Sequence, residues 1–394
     1  MDTPTTVQGD MKLRGKRALR MLLQLAIILA VLAVLYWIGH SINVGLGKNG
    51  IGFSLRFLTQ PAGFDISEGV TLDFGGLGPL VRDFLSSDSN IQALMTGAIN
   101  AIKAALLGMF FATVLGVLIG VGRLSKNWLL RQLSFLFVEF IRNTPPLIQL
   151  VFWYFAVVLQ LPGLAQAGQW FGVIASQQGV YLPTISLNDG VSLVSLSLLV
   201  LGALCLVAWL VLSRWKMRFY LLLAAPVFFL IAQYVGAPLA LDLPQAKRFS
   251  VVGGYSISPE LAAMLLGLII YKAAFIAEIV RGAMLSLPAG QWEAAQALGM
   301  SHRDCLRDVI LPQVNRIVLP AFGNQYISLA KNTSLGIAIG FPDLFNVYGT
   351  VANQSGRSLE GMIVVVLAYL VLSWSISAVV NVCNYRLLKA GGAS

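Results

Sequence analysis

The chain has 394 residues, 57% hydrophobic and only 11% charged; ordinary soluble domains carry about 25% charged residues, so a freely soluble globule is excluded. The net charge of +10 does not mark a nucleic-acid surface, because the Lys and Arg are spread over short segments between apolar runs, as in a membrane protein. Three cysteines (Cys205, Cys305, Cys383) and two histidines (His40, His302) lack the spacing of a metal centre or a disulfide framework.

In chain order, residues 1–20 form a basic segment with Lys12, Arg14, Lys16, Arg17 and Arg20. The apolar run 21–39 follows and ends in the interfacial pair Tyr36-Trp37. It is longer than the apolar core of a secretory signal, about 7–15 residues, so it reads as a retained helix. Residues 40–93, rich in Gly, Asp and Ser, read as an ordered or partly ordered external segment. Further apolar runs long enough to cross a hydrocarbon core of about 30 Å bring the prediction to eight spans: 21–39, 95–122, 133–160, 191–213, 219–238, 259–283, 318–340 and 361–385. The tight basic turn 214–218 (Arg-Trp-Lys-Met-Arg) makes 191–238 a helical hairpin. Placing both ends, including the tail 386–394, in the cytoplasm puts 17 of the 27 Lys and Arg in inner segments and 6 in outer ones. That asymmetry fixes the predicted orientation. The predicted fold class is an all-α integral membrane protein.

The inner loop 284–317 differs from the others in carrying a helical pattern. Pro288 suits a first helical turn and Gly299 a left-handed stop. Ser301 and Asp304 have capping-box spacing for a second short helix, and Pro312 and Pro320 frame the return to the membrane. Ala294, Ala295 and Ala297 make one helix surface shallow, with Glu293 and Gln296 beside it, which suits a helix laid into a groove of another protein. A helix resting on lipid is the alternative, but such helices usually carry a basic face, and 286–300 contains no Lys or Arg.

The pattern Glu293-Ala294-Ala295, Gly299 and Val309-Ile310-Leu311-Pro312 resembles the EAA loop of ABC-importer permeases, with Val309 where that family usually has Ile. The segments Ala274 to Gly282, Ser286-Leu287-Pro288, Arg142 to Leu147 and Lys331 to Leu335 resemble its polar amino-acid (histidine/glutamine-type) branch. The likeness covers 94–385. The extra first span, the long external segment and the inserted hairpin 191–238 resemble the larger permease subunit of general L-amino-acid transporters. The resemblance implies a type I importer permease core over 94–385, with an ATPase-coupling loop at Glu293, Ala294, Ala295, Gly299, Leu311 and Pro312. It implies pairing with a second, shorter homologous permease, docking on an ATP-binding subunit dimer, delivery by a periplasmic amino-acid-binding protein, and alternating access in the bacterial inner membrane.

No phosphate-cradling glycine loop of the Gly-x-x-x-x-Gly-Lys-Ser/Thr type occurs, so no catalytic role and no cofactor is expected of this chain, and ATP and Mg belong on the partner ATPase. Charged groups inside spans are costly and tend to face cavities or partners. Arg142, Asn143, Thr144, Lys272, Glu278, Lys331 and Asn332 are the candidates for a substrate pathway. Arg142 or Lys331 suits an amino acid's carboxylate, and Glu278 its ammonium. Local pairing remains open for each: Arg142 with Glu139, Glu278 with Arg281, and snorkelling for Lys272 and Lys103. An ion-coupled secondary transporter is the alternative function. The Arg-Asn-Thr and Lys-Asn-Thr echoes lie on spans running the same way, which gives no sign of its inverted repeats.

Overall fold

A computed structural model describes residues 5–48, 53–73, 80–187, 193–211, 215–236, 239–247 and 250–391. Among them, four helices are long and apolar enough to cross a membrane: Met21–Ser41 within α1 (Thr5–Lys48), α2 (Asn90–Arg123), α7 (Pro259–Ser286) and Ser358–Arg386 within α12 (Ser358–Gly391). The α1 span is exposed along its length among the described residues. A fifth candidate is bent by 52°, its limbs being His302–Ile339 and Leu344–Ser355. The hairpin expected at 191–238 is present as α5 (Leu193–Val211) and α6 (Trp215–Gly236), packed through Ala225 and Gly202. Its basic turn at 214–218 lies largely outside the residues whose side chains are described.

The core is built on close approach of α2 and α7. Gly108, Ala112, Gly116 and Gly120 recur every fourth residue on one face of α2. A Cβ at Gly116 would lie 2.6 Å from the Ile276 side chain and 2.8 Å from the Ala273 carbonyl, and one at Gly120 would lie 2.9 Å from the Ala277 carbonyl. Ala273, Ala274 and Ala277 on α7 are fully buried. Apolar burial adds little to helix association in lipid, so small residues that bring backbones together are what such a pair needs.

The predicted span 133–160 is not one helix. It divides into α3 (Trp128–Arg142) and α4 (Pro146–Phe152), which continues through a π turn and a 3-10 turn to Gln160. Pro145 and Pro146 supply no N–H to close the ladder. Side chains reinforce the end of α3 and reach across the break. Asn143 Nδ2 donates to the Glu139 carbonyl at 2.8 Å, and Thr144 Oγ1 to that of Phe140 at 2.8 Å. From α4, Gln149 Nε2 reaches back to the carbonyls of Ile141 and Thr144 at 2.8 and 3.0 Å. Within a bilayer such groups have no water to turn to, so the break is tolerated only where the protein itself satisfies them.

The segment 341–360, read from sequence as an external loop, also departs from expectation. It holds the helix α11 (Leu344–Ser355). Asp343 is fully buried and caps α11 through the Asn346 N–H at 2.9 Å, while its other carboxylate oxygen accepts from the Tyr369 hydroxyl at 2.9 Å. Asn100 of α2 donates to the Pro342 carbonyl at 3.0 Å, docking this corner on the core.

The segments read from sequence as external carry short antiparallel strands that the sequence reading did not anticipate. In the first of them, β1 (Val70–Leu72) pairs with β2 (Val81–Asp83). Arg82 clamps Asp88 through two bonds of 2.7 and 2.8 Å and Asp73 through one of 3.0 Å. The guanidinium holds the Asp88 carboxyl below the usual range, and the Asp88 carboxylate also accepts from the Leu85 N–H. Farther on, β3 (Gln169–Trp170), β4 (Val173–Ser176), β5 (Gly179–Leu182) and β10 (Tyr255–Ile257) form a sheet in the order β10-β5-β4-β3. Two ribbons accompany it: β6 (Thr184–Leu187) with β7 (Leu239–Asp242), and β8 (Gln245–Ala246) with β9 (Val251–Val252). Strand β10 runs through Ser258, the N-cap, straight into α7.

Candidate functional site: the short helix 290–297 and the charged groups behind it

From Leu287 the chain leaves α7 in an extended turn and enters α8 (Gly290–Ala297). Gly299 follows at φ +75°, a conformation that penalises any side chain. The Gly299 N–H bonds the Gln296 carbonyl at 2.9 Å and the Met300 N–H that of Ala295 at 3.1 Å. This paired closure satisfies the last carbonyls of α8 and turns the chain sharply. The Ser301 hydroxyl then accepts from the Asp304 N–H at 3.2 Å, as its spacing predicts. Asp304 answers differently: its carboxylate accepts a hydrogen bond from the Ser301 hydroxyl at 2.6 Å rather than from the Ser301 N–H.

The second helix is not a separate short element. The turn His302–Asp304 (α9) passes through a π turn, Cys305–Ile310, directly into α10 (Leu311–Asn332). Pro312 would clash with the carbonyl four residues earlier in a regular helix, and widening that turn removes the conflict. The helix therefore runs on through Pro312 and through Pro320 inside α10.

One edge of α8 is anchored to this long helix. Ala295 is buried against the cluster that includes Cys305 and Ile310, and the Trp292 ring stacks on His302 with centroids 5.2 Å apart. Gln313 donates to Gln291 at 3.2 Å. The opposite surface is bare: Glu293, Ala294, Gln296, Ala297 and Gly299 are exposed, and Leu298 is 81% exposed. Leu311 and Pro312 are exposed at the start of α10, and Ile310 is fully buried.

The membrane-level candidates separate into two groups. Arg142, Lys272 and Glu278 gather along α7 around Phe275. The Arg142 guanidinium lies 5.5 Å and the Lys272 ammonium 5.6 Å from that ring. Lys272 is 3% exposed and donates to Ser328 Oγ of α10 at 2.8 Å. Glu278 is engaged on both sides, by Arg281 one turn on and by Arg123 from the end of α2. Asn143 and Thr144 act on the backbone at the end of α3. Lys331 lies apart, lining a cavity of about 590 Å³ with Ser334, Tyr369, Ser373 and Trp374. Asn332 is half-buried where α10 tightens into the 3-10 turn Thr333–Ile339. Lys103 reaches outward over the Tyr255 ring at 5.5 Å.

Sequence reasoning missed Gln149, Arg123, Asp343 and the Trp292–His302 brace. Gln149 shows a trace, a polar side chain just after a double proline in an apolar run. Asp343 has one too, as an acidic N-cap before Leu344. The partnership of Arg123 with Glu278 spans 155 positions of chain and leaves no local pattern.

These features define a multi-helix membrane protein with a short helix displayed on one surface and no nucleotide-binding loop in its sequence. The sequence profile of the family described as binding-protein-dependent transport system inner membrane component matches residues 112–389. YhdX of Escherichia coli is 36% identical over 399 residues, 97% of this chain and 98% of that protein. AapQ of Rhizobium johnstonii is 35% identical, covering 92% of this chain and 91% of its own length. BztB of Rhodobacter capsulatus is 31% identical, covering 92% of both chains. The chain belongs to the family of binding-protein-dependent transport system inner membrane components.

Proposed function

We propose that this chain is the larger permease subunit of an ATP-driven importer that moves L-amino acids from periplasm to cytoplasm by alternating access. The observation that carries the proposal is the asymmetry of α8, anchored by Trp292 and Ala295 to the helix that becomes α10 while Glu293, Ala294, Gln296 and Leu298 stay bare. A helix held on one edge and open on the other transmits a push from a protein seated on its open surface. That protein is an ATP-binding subunit dimer, which holds ATP and Mg and performs the hydrolysis. The Lys and Arg asymmetry supports a cytoplasmic position for α8 and both termini. A second, shorter permease and a periplasmic binding protein complete the assembly. The amino-acid assignment draws on AapQ, a general L-amino acid transport system permease protein, and on BztB, a glutamate/glutamine/aspartate/asparagine transport system permease protein.

Within the spans, Lys272 and Arg142 beside Phe275 supply positive charge for a carboxylate. Glu278 is occupied by two arginines and holds α2 to α7. The test is reconstitution of the chain with the products of its neighbouring genes, followed by labelled amino-acid uptake with and without ATP inside the vesicles. Uptake strictly dependent on ATP and binding protein is the expected result. Uptake that ignores ATP and follows an ion gradient overturns the proposal in favour of a secondary transporter.

A further inference from the structure

A trough of about 820 Å³ lies between α2 and α12, with Leu319 and Tyr326 of α10 between its walls. The α12 wall recurs every fourth residue from Leu367 to Cys383. That is about 24 Å of helix at 1.5 Å per residue, enough to seat a second helix over most of a hydrocarbon core. The walls are apolar and open: Leu106 of α2 and Leu367 and Val379 of α12 are more than half exposed.

The chain itself brings a helix to the mouth of this trough. The Ser54 N–H donates at 3.3 Å to Oε1 of Glu360, a buried residue in the first turn of α12. Phe57 is buried in a cluster with Leu94 of α2, Leu344 and Val365, and Ala98 and Ala368, which line the trough, pack against that same cluster. Lys48, the last residue of α1, precedes Ser54 by six residues, a reach of at most about 21 Å. One end of α1 is thereby tethered beside the start of α12, and a span folding back along α12 runs antiparallel to it. The lengths agree. Arg20 and Arg386 bound the two apolar runs at their other ends, and 28 residues separate Arg20 from Lys48 just as 28 separate Ser358 from Arg386.

The span also has a face suited to close approach. Ala26, Ala30 and Ala33 are spaced by four and three residues, so they share one side of α1, and all three are exposed. In lipid, small residues are what let helices pack together. A tethered helix meets the trough at high effective concentration, an advantage that free lipid or a separate chain lacks. We infer that the Met21–Ser41 span of α1 seats in the trough between α2 and α12, with its Ala26–Ala30–Ala33 face against the α12 wall.

The experiment treats membranes from cells making the full chain and the products of its neighbouring genes with copper phenanthroline. Disulfide-linked peptides are then read from the monomer band of a non-reducing gel. Native Cys383 is exposed at the end of the trough away from the tether, three residues before Arg386 as Leu23 is three after Arg20. Leu23→Cys and Ala26→Cys, on the contact face, should join Cys383 about tenfold more than Gln24→Cys on the opposite face, because a disulfide needs Cβ atoms about 3.5–4.5 Å apart. Ala30→Cys with Val379→Cys, one turn along both helices and with Cys383→Ser, repeats the measurement should a first variant be poorly made. Equal yields from positions 23, 24 and 26, or no linked pair at either level, overturn the inference. So does a linked pair found only at twice the mass of the chain, which would seat α1 on a second copy.

Discussion

Gly299 has open space around the position of a Cβ and a φ that β-branched residues scarcely tolerate. Its role is conformational, and Gly299→Val should open the paired closure at a cost of about 1–3 kcal/mol. The expected outcome is an unchanged membrane fold with several-fold weaker recovery of the ATP-binding subunit on affinity purification. Undiminished recovery and transport would refute the role given to this turn. The glycine was legible because a left-handed stop leaves a residue-level signature. The reply of Asp304 was not, because Asp is one methylene shorter than the Glu of a full capping box and settles on the nearer hydroxyl. Asp88 gives a second residue-scale expectation. Arg82 depresses its pKa below the ordinary value of 3.8. A carboxylate held low in the folded chain contributes stability above the ordinary value and loses it as pH falls through the folded one. Amide protection factors in 81–90, taken relative to the intrinsic exchange rate at each pH, should therefore be flat from neutral pH down to the ordinary carboxylate range and fall only below it. With Arg82→Gln that acid step should vanish. A step at neutral pH would contradict the assignment.

The element that departs most from its sequence pattern is the interrupted span α3–α4. Its length and hydropathy read as one crossing, and the double proline was visible, but hydropathy alone does not say whether the freed carbonyls find partners. Gln149 answers that, with both of its amide hydrogens on backbone carbonyls of α3 and of the break. Gln149→Leu preserves approximate volume and removes both bonds. Each lost bond costs about 0.5–1.5 kcal/mol, so a lowered thermal midpoint in detergent is expected, with Gln149→Glu failing to restore it. An unchanged midpoint would show that the carbonyls find water or other donors. The α2–α7 pair was legible only as two apolar runs. Their mutual fit depends on which glycines face which alanines, a relation across 160 or so positions that single-sequence periodicity does not carry.

For the whole molecule, composition and charge asymmetry were enough to predict a multi-spanning helical protein, because the bilayer imposes length and hydropathy on every crossing. They did not reveal the outer strands, which are two to four residues long and lack an alternating pattern long enough to detect. Nor did they distinguish buried charges that hold the fold from those left free for a ligand. Lys272 tests that distinction at the level of the assembly. It is buried in a span with Ser328 as its hydrogen-bond partner, a costly arrangement in the absence of function. Lys272→Met should raise the thermal midpoint while reducing uptake at least several-fold, the opposing signs expected of a functional polar group. Loss of stability together with uptake would assign the lysine to the fold alone.

The widened turn at Cys305–Ile310 has a mechanical corollary. Because it lets the helix pass Pro312 without stopping, one rod extends from His302 to the half-buried Asn332, about 45 Å at 1.5 Å per residue. A tilt imposed at the His302 end meets only the widened turn and Pro320 before the 52° bend beyond its far end, so those are the joints at which it is absorbed or passed on.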